Sequence, residues 1–374
     1  MLNKGKLFFI FSILILMVYP VLALECGDTI TGNTIMAEDL NCTNATSTLA
    51  LRVRDGAILD CANYKIIRDD VHQSSVGIWA SEGSTIQNCI IRGFKTGITL
   101  ASQDTNKNNN ILNNTIIGTF GVDDLAGISI YNEGAENNKI INNDISGFSA
   151  DWWSAGIKIY LGAKNNLIKG NILHSNLKGI NIIDSRENII TENIIISNIN
   201  GIRIDPGNHN SATNNLAYNN YFENNSAFNA QDSNGGNFWN ITKTLGTNII
   251  GGPYLGGNYW NSYDWNGYKG EDLDSIDGIG DTELPYNAYG SFPIGEGDYL
   301  PLIYIEVQDS DNDGVTDSED KCPNTEEGQI VYGCSCEQIL SLKQGNNNGE
   351  LKKGCSKGTI DVFTKKIGWA RGLF

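Results

Sequence analysis

The chain of 374 residues carries 26 Lys and Arg against 43 Asp and Glu, a formal net charge of −17. So acidic a body excludes nucleic acid and anionic membrane as its partners. Its eight cysteines, an even number, fit an exported chain better than a cytosolic one.

Residues 1–23 have the form of a secretory signal peptide. Lys4 and Lys6 precede an uncharged apolar run from Leu7 to about Leu24, with Pro20 near its end and Val21-Leu22-Ala23 as a small-residue cleavage site. An uncleaved anchor stays open as the other reading, because the run is just long enough to span a bilayer. Cleavage would take the net charge from −17 to −19 by removing two lysines, leaving a secreted or cell-surface chain with no further membrane span. Five sequons, at Asn41, Asn44, Asn113, Asn224 and Asn240, are glycosylatable in a suitable host.

Cys26 and Cys42 flank Gly27–Thr34, read as an N-terminal strand pair that caps the first coil, and are expected to bond to each other. From Ile111 to Tyr221 one phrase recurs: an aliphatic residue, two others, Asn, one other, then a large apolar residue. The copies are Ile111/Asn114/Ile116, Ile140/Asn143/Ile145, Ile168/Asn171/Leu173, Ile190/Asn193/Ile195 and Leu216/Asn219/Tyr221. A second phrase, Gly-aliphatic, falls at Gly77, Gly97, Gly127, Gly156, Gly179 and Gly201. The runs are β-branched and never hold a helical period, so coils of 22 to 29 residues with two or three short strands each predict an all-β, right-handed parallel β-helix. The Asn residues should then stack at one turn of every coil, about 4.8 Å apart. Extended backwards, the register puts Cys61 and Cys89 at that position, close enough for a disulfide; two buried thiols are the alternative.

Coil length singles out one side. Gly-aliphatic follows Leu173 and Ile195 by six residues, but Ile116 and Ile145 by eleven. The extra length makes loops 119–126, with Asp123 and Asp124, and 148–155, with Asp151, Trp152 and Trp153; an earlier loop, 67–76, holds Arg68, Asp69, Asp70 and His72. All three should project from one side of the solenoid. Tryptophan beside acid suits carbohydrate, whose ring faces stack and whose hydroxyls bond carboxylates. The same Asp123, Asp124 and Asp151 are the catalytic candidates if the protein cleaves polysaccharide.

These coils resemble the pectin-lyase-like right-handed β-helix proteins, in particular NosD-like and archaeal surface proteins with carbohydrate-binding and sugar-hydrolase repeats, over about residues 26–305. The most specific piece is Gly256-Gly-Asn-Tyr-Trp-Asn-Ser-Tyr263 followed by Asp277-Gly-Ile-Gly-Asp-Thr282 and Pro285-Tyr286, similar to the segment that closes those proteins. Polygalacturonase His-Gly and Asn-Thr-Asp motifs are missing, and Asp205-Pro-Gly-Asn-His209 is a broken form of an epimerase Asp-Pro-His-Glu. A lyase-type site would need calcium-binding acids and an Arg base, for which Arg68 and Arg203 are the candidates.

Past the coils, Asp309, Asp311, Asp313, Asp317 and Asp320 stand at positions 1, 3, 5, 9 and 12 of a Ca²⁺ loop. Gly314 makes the sharp turn and Val315 offers its carbonyl. With the trailing Cys322-Pro this resembles a thrombospondin type 3 repeat, which implies calcium at those aspartates. A less regular acidic stretch, Asp272 to Asp281, is a second candidate. Cys322 with Cys334 and Cys336 with Cys355 is the preferred pairing among three, with a four-Cys zinc site as the alternative. Residues 358–374 predict an amphipathic helix with Ile360, Phe363, Ile367, Ala370 and Phe374 on one face; from Leu351 onward six basic residues face one acid.

The domain reading is therefore 1–23 signal peptide, 24–226 β-helix, 227–305 terminal coils and cap, 306–323 calcium loop and 324–374 a cysteine-containing module. The preferred function is non-catalytic binding of an extracellular or cell-envelope polysaccharide or glycoprotein, with Ca²⁺ as the bound ion. A polysaccharide hydrolase or lyase and a purely structural envelope protein are the alternatives.

Overall fold

The computed structural model describes residues 23–69, 75–101, 107–118, 126–208, 212–263, 270–273, 277–287 and 291–304, and the backbone of 330–331 and 334–335. The signal segment, Asp70, His72, Asp123, Asp124, His209, the 309–320 loop, Cys322, Cys336, Cys355 and the 358–374 segment lie outside the described residues. The chain divides into two compact units, residues 1–304 and 305–374. In the second, Ile330–Val331 pairs antiparallel with Cys334–Ser335.

The first unit is a right-handed parallel β-helix. Three sheets of nine, eight and nine strands, all in parallel register, take every third strand of the chain as far as Phe228–Asp232, and Tyr259–Trp260 then adds the last strand of the third sheet. Sheet A runs from Asp28–Ile30 to Phe228–Asp232, sheet B from Thr34–Ile35 to Leu216–Tyr218, and sheet C from Leu40–Asn41 to Tyr259–Trp260. The repeated aliphatic residues form unbroken columns inside. Ile86, Ile111, Ile140, Ile168 and Ile190 stack on sheet B, and Ile98, Ile128, Ile157, Ile180 and Ile202 on sheet A, each at 0% exposure. Each fully buried Ile side chain contributes roughly 1.5–3 kcal/mol. The Gly-aliphatic phrase has a steric cause, since a Cβ on Gly97, Gly127, Gly156 or Gly179 would meet the carbonyl oxygen of the next coil's glycine at 2.6–2.8 Å.

Asparagine stacks at three turns rather than one. The expected ladder runs Asn114, Asn143, Asn171, Asn193, Asn220 and Asn258, each donating through backbone N and Nδ2 to the next Oδ1 at 2.9–3.1 Å. A second ladder links Asn109, Asn138, Asn166, Asn188, Asn215 and Asn237, and a third Asn176, Asn198 and Asn225. The fifth copy of the repeat is corrected by one residue: Tyr221 pairs with Ile194 and Ala217 with Ile190, so Asn220, not Asn219, is the ladder residue. Asn219 sits just before it with φ +55°. The same division of labour explains the Asn doublets, because Asn108, Asn113, Asn137, Asn142, Asn165 and Asn214 all hold positive φ ahead of a ladder Asn. Asn tolerates the left-handed region better than other non-glycine residues.

Both predicted N-terminal disulfides form: Cys26–Cys42 with Cα atoms 5.7 Å apart, and Cys61–Cys89 at 4.7 Å, the second within the ladder column. The expected N-terminal strand pair is instead a complete first coil. Its strands Asp28–Ile30, Thr34–Ile35 and Leu40–Asn41 enter sheets A, B and C respectively, because edge strands of a solenoid are satisfied by the next coil and not by each other. Arg68 is not a loop cation. It is fully buried, with Nη1 and Nη2 donating to the Ser47 and Ala45 carbonyls at 2.9 and 2.7 Å. At the other end Trp260 joins sheet C, stacks on Phe222 with ring centroids 4.4 Å apart, and packs with Trp239, Tyr263 and Tyr286 into an aromatic plug.

Candidate functional site

Loop 148–155 bridges the corner between Asp144–Ser146 of sheet C and Ala155–Tyr160 of sheet A. Both of its ends are anchored. Phe148 is buried and its backbone N donates to Asn176 Oδ1 at 3.0 Å, while Ser154 is buried and closes a turn with Asp151 through bonds of 2.8 and 2.9 Å. Between these anchors Trp152 and Trp153 stay 60% and 47% exposed, edge-to-face with centroids 6.4 Å apart. Exposed indoles on a pinned loop are preorganised for contact, since little entropy remains to be lost on binding.

What the loop leans over is cationic. Sheet A places Ser129, Lys158, Asn181, Arg203 and Gln231 in one register row, with no acid among them. Lys158 Nζ lies 5.3 Å from the Trp153 ring centroid, and Arg203 Cζ and Lys178 Nζ lie 4.9 and 5.3 Å from that of Trp152. Lys178 also donates to the Trp152 carbonyl, which ties the loop down. Arg203 Nε donates to Asp205 Oδ2 at 2.7 Å. Burial pushes the Lys178 ammonium down to about 8, and the charges of Arg203 and Lys158 act the same way against Asp205 and Asp151.

Trp152 stands between two clefts. One, of about 370 Å³, is lined by Ser149, Asp151, Trp152, Lys178, Asn200 and Arg203. The other, of about 270 Å³, is lined by Trp152, Trp153, Lys178, Asn181, Arg203 and Asp205. Asn181 is 1% exposed, and its Oδ1 has no hydrogen-bond partner.

Of the residues singled out in the sequence, Asp151, Trp152 and Trp153 thus share one site. One coil earlier the strands Thr115–Ile117 of sheet C and Ala126–Tyr131 of sheet A flank residues 119–125, which hold Asp123 and Asp124 and lie outside the described residues. Lys158, Lys178, Asn181 and Arg203 were not anticipated as a group. Their signal was legible as polar residues in the same place of successive Gly-aliphatic strands, Gly156-Ile-Lys158, Gly179-Ile-Asn181 and Gly201-Ile-Arg203. In the Asp272 to Asp281 stretch, Asp272 Oδ2 accepts from the backbone of Asp277 and Gly278, and Asp281 Oδ2 accepts from Leu273 N.

A family model described as "Periplasmic copper-binding protein (NosD)" matches residues 26–265. No curated protein matches. Among solved structures, a double mutant of the periplasmic alginate epimerase AlgG aligns at 14% identity and a TM-score of 0.38, covering 56% of this chain and 59% of that one. The A-module of the Azotobacter vinelandii mannuronan C-5 epimerase AlgE6 aligns at 14% identity and 0.32, covering 56% and 64%. The chain spans less than two thirds of either epimerase structure.

Proposed function

The chain belongs to the NosD family, and on that premise we propose that it is an exported β-helix whose Trp152/Trp153 groove binds carbohydrate of the cell envelope without cleaving it. The observation that carries this reading is the pair of exposed indoles held by anchored turns over a polar sheet face. Such rings offer flat apolar surface beside hydrogen-bonding groups, the combination a sugar ring matches. Copper, named in the family description, finds no fitting donor set among the described residues. Four cysteines are spent in disulfides, Met36 is buried in the core, and His174 faces Asp144 at 3.2 Å with no third ligand converging. No copper step is therefore assigned to the solenoid.

The test is an array of neutral and acidic envelope glycans probed with the full chain and with Trp152→Ala/Trp153→Ala. Binding that falls by about tenfold or more in the variant, with the melting temperature kept, is the expected result. A blank array favours the structural envelope protein instead. Turnover of any polysaccharide that disappears in Asp124→Ala/Asp151→Ala overturns the non-catalytic reading. For residues 309–320, the spacing of the acids supports a bound Ca²⁺. The expected outcome is a calcium-dependent rise in thermal stability that Asp313→Ala abolishes.

A further inference from the structure

The cations beneath the indoles say which carbohydrate. The protein is acidic overall, yet Lys158, Lys178 and Arg203 gather on one stretch of sheet A, with Asp151 and Asp205 as the acids beside them. Lys178 and Arg203 line both clefts, one on each side of Trp152, so two neighbouring sugars would share them. Asn181 lines the second cleft, and its buried Oδ1 lacks a donor, which a sugar hydroxyl reaching in from the cleft would supply.

We propose that the two clefts beside Trp152 take adjacent residues of a carboxylate-bearing glycan, a polyuronate, with Arg203 and Lys178 meeting the carboxylates and Asn181 Oδ1 accepting a hydroxyl. This rests on the carbohydrate-binding reading and adds the class of sugar. A guanidinium presents a planar fork that matches a carboxylate, while a partly desolvated ammonium acts as a point charge. The depressed pKa of Lys178 agrees: burial lowers it most, the charges of Arg203 and Lys158 lower it further against Asp205 and Asp151, and a bound anion would act in the opposite direction. The alternative role for these cations is to brace the Trp loop alone. Bracing would change the affinity for all sugars together and would leave the preference between an acid and its ester untouched.

The experiment measures the full chain against oligogalacturonate and against the same oligomer as its methyl ester, which removes charge and keeps shape. The acid is expected to bind about tenfold tighter or more than the ester, with affinity falling as salt rises. Arg203→Gln is expected to collapse that ratio to about threefold or less, and Arg203→Lys to retain most of it. The ratio should also shrink between pH 7 and pH 9, as Lys178 loses its proton. Equal binding of acid and ester, or of neutral glycans alone, overturns the polyuronate assignment and leaves carbohydrate binding standing. A ratio that persists in Arg203→Gln overturns the site. If no glycan binds at all, the carbohydrate reading falls and the inference with it.

Discussion

The two ends of the asparagine ladders are finished in opposite chemistry. At the N-terminal end the first acceptors are met by plain backbone donors: Ser84 N reaches Asn109 Oδ1 and Cys89 N reaches Asn114 Oδ1, both at 2.9 Å. Before Cys89 the column continues as the Cys61–Cys89 disulfide. At the C-terminal end two ladders stop on buried carboxylates. Asn237 Nδ2 donates to Asp232 Oδ2 at 2.9 Å, and Asn258 N donates to Asp298 Oδ2 at 2.7 Å. The difference follows from the polarity of an amide stack. Every Asn passes its donors onward, so the start lacks only a donor, which any peptide supplies. The last Asn needs an acceptor in place of a further amide, and Oδ2 of Asp232 or of Asp298 is one.

Breaking the interior should cost most. Asn171 Nδ2 donates to Ile140 O, Lys169 O and Asn193 Oδ1, and its Oδ1 takes two donors from Asn143. Asn171→Ala is expected to destabilise the solenoid by about 3–5 kcal/mol in urea unfolding, because it orphans buried groups on both neighbouring coils. Removing the disulfide end with Cys61→Ser/Cys89→Ser closes no loop in the unfolded chain, and the expected loss is about 3–4 kcal/mol for a 28-residue separation. If the two ends were interchangeable, Asp298→Asn would be harmless. Instead it should cost about 1–3 kcal/mol, since Asn258 N, Trp260 Nε1 and Leu300 N all point donors at this group and an amide adds two more.

The same group also predicts a pH slope. Burial pushes Asp298 up to about 7 from 3.8, outweighing the hydrogen bonds it accepts. Between those values the native state holds a proton that the unfolded chain has lost. This group therefore makes stability decline as pH rises from about 4 to 7, and Asp298→Asn should remove that slope from a series of urea midpoints.

The repeat was legible because its causes are local. A left-handed residue, a ladder Asn and an inward aliphatic recur within a handful of positions, and glycine marks where coils approach most closely. Legibility failed where two adjacent residues satisfied the same pattern: Asn219 and Asn220 both read as ladder residues, and only pairing of Tyr221 with Ile194 separates their roles. The two further ladders were missed because their asparagines lie in turns of variable spelling, such as Glu187-Asn188 and Ser175-Asn176.

Sequence alone thus determined the coil, its inward columns, the Cys26–Cys42 disulfide and the one loop that carries paired tryptophans, and it placed Cys61 and Cys89 together, whose bond the structure decided. Tertiary structure decided what that loop covers. Trp152 meets Lys178 and Arg203 from the two following coils, 26 and 51 residues downstream, and Asp298 closes a ladder 40 residues after Asn258. No short-range pattern encodes such contacts. Residues on successive coils become neighbours only when each intervening loop is summed to a whole turn, and these coils vary from 22 to 29 residues. The strand period fixes which way a side chain points, whereas the stacking of unequal coils fixes what it meets.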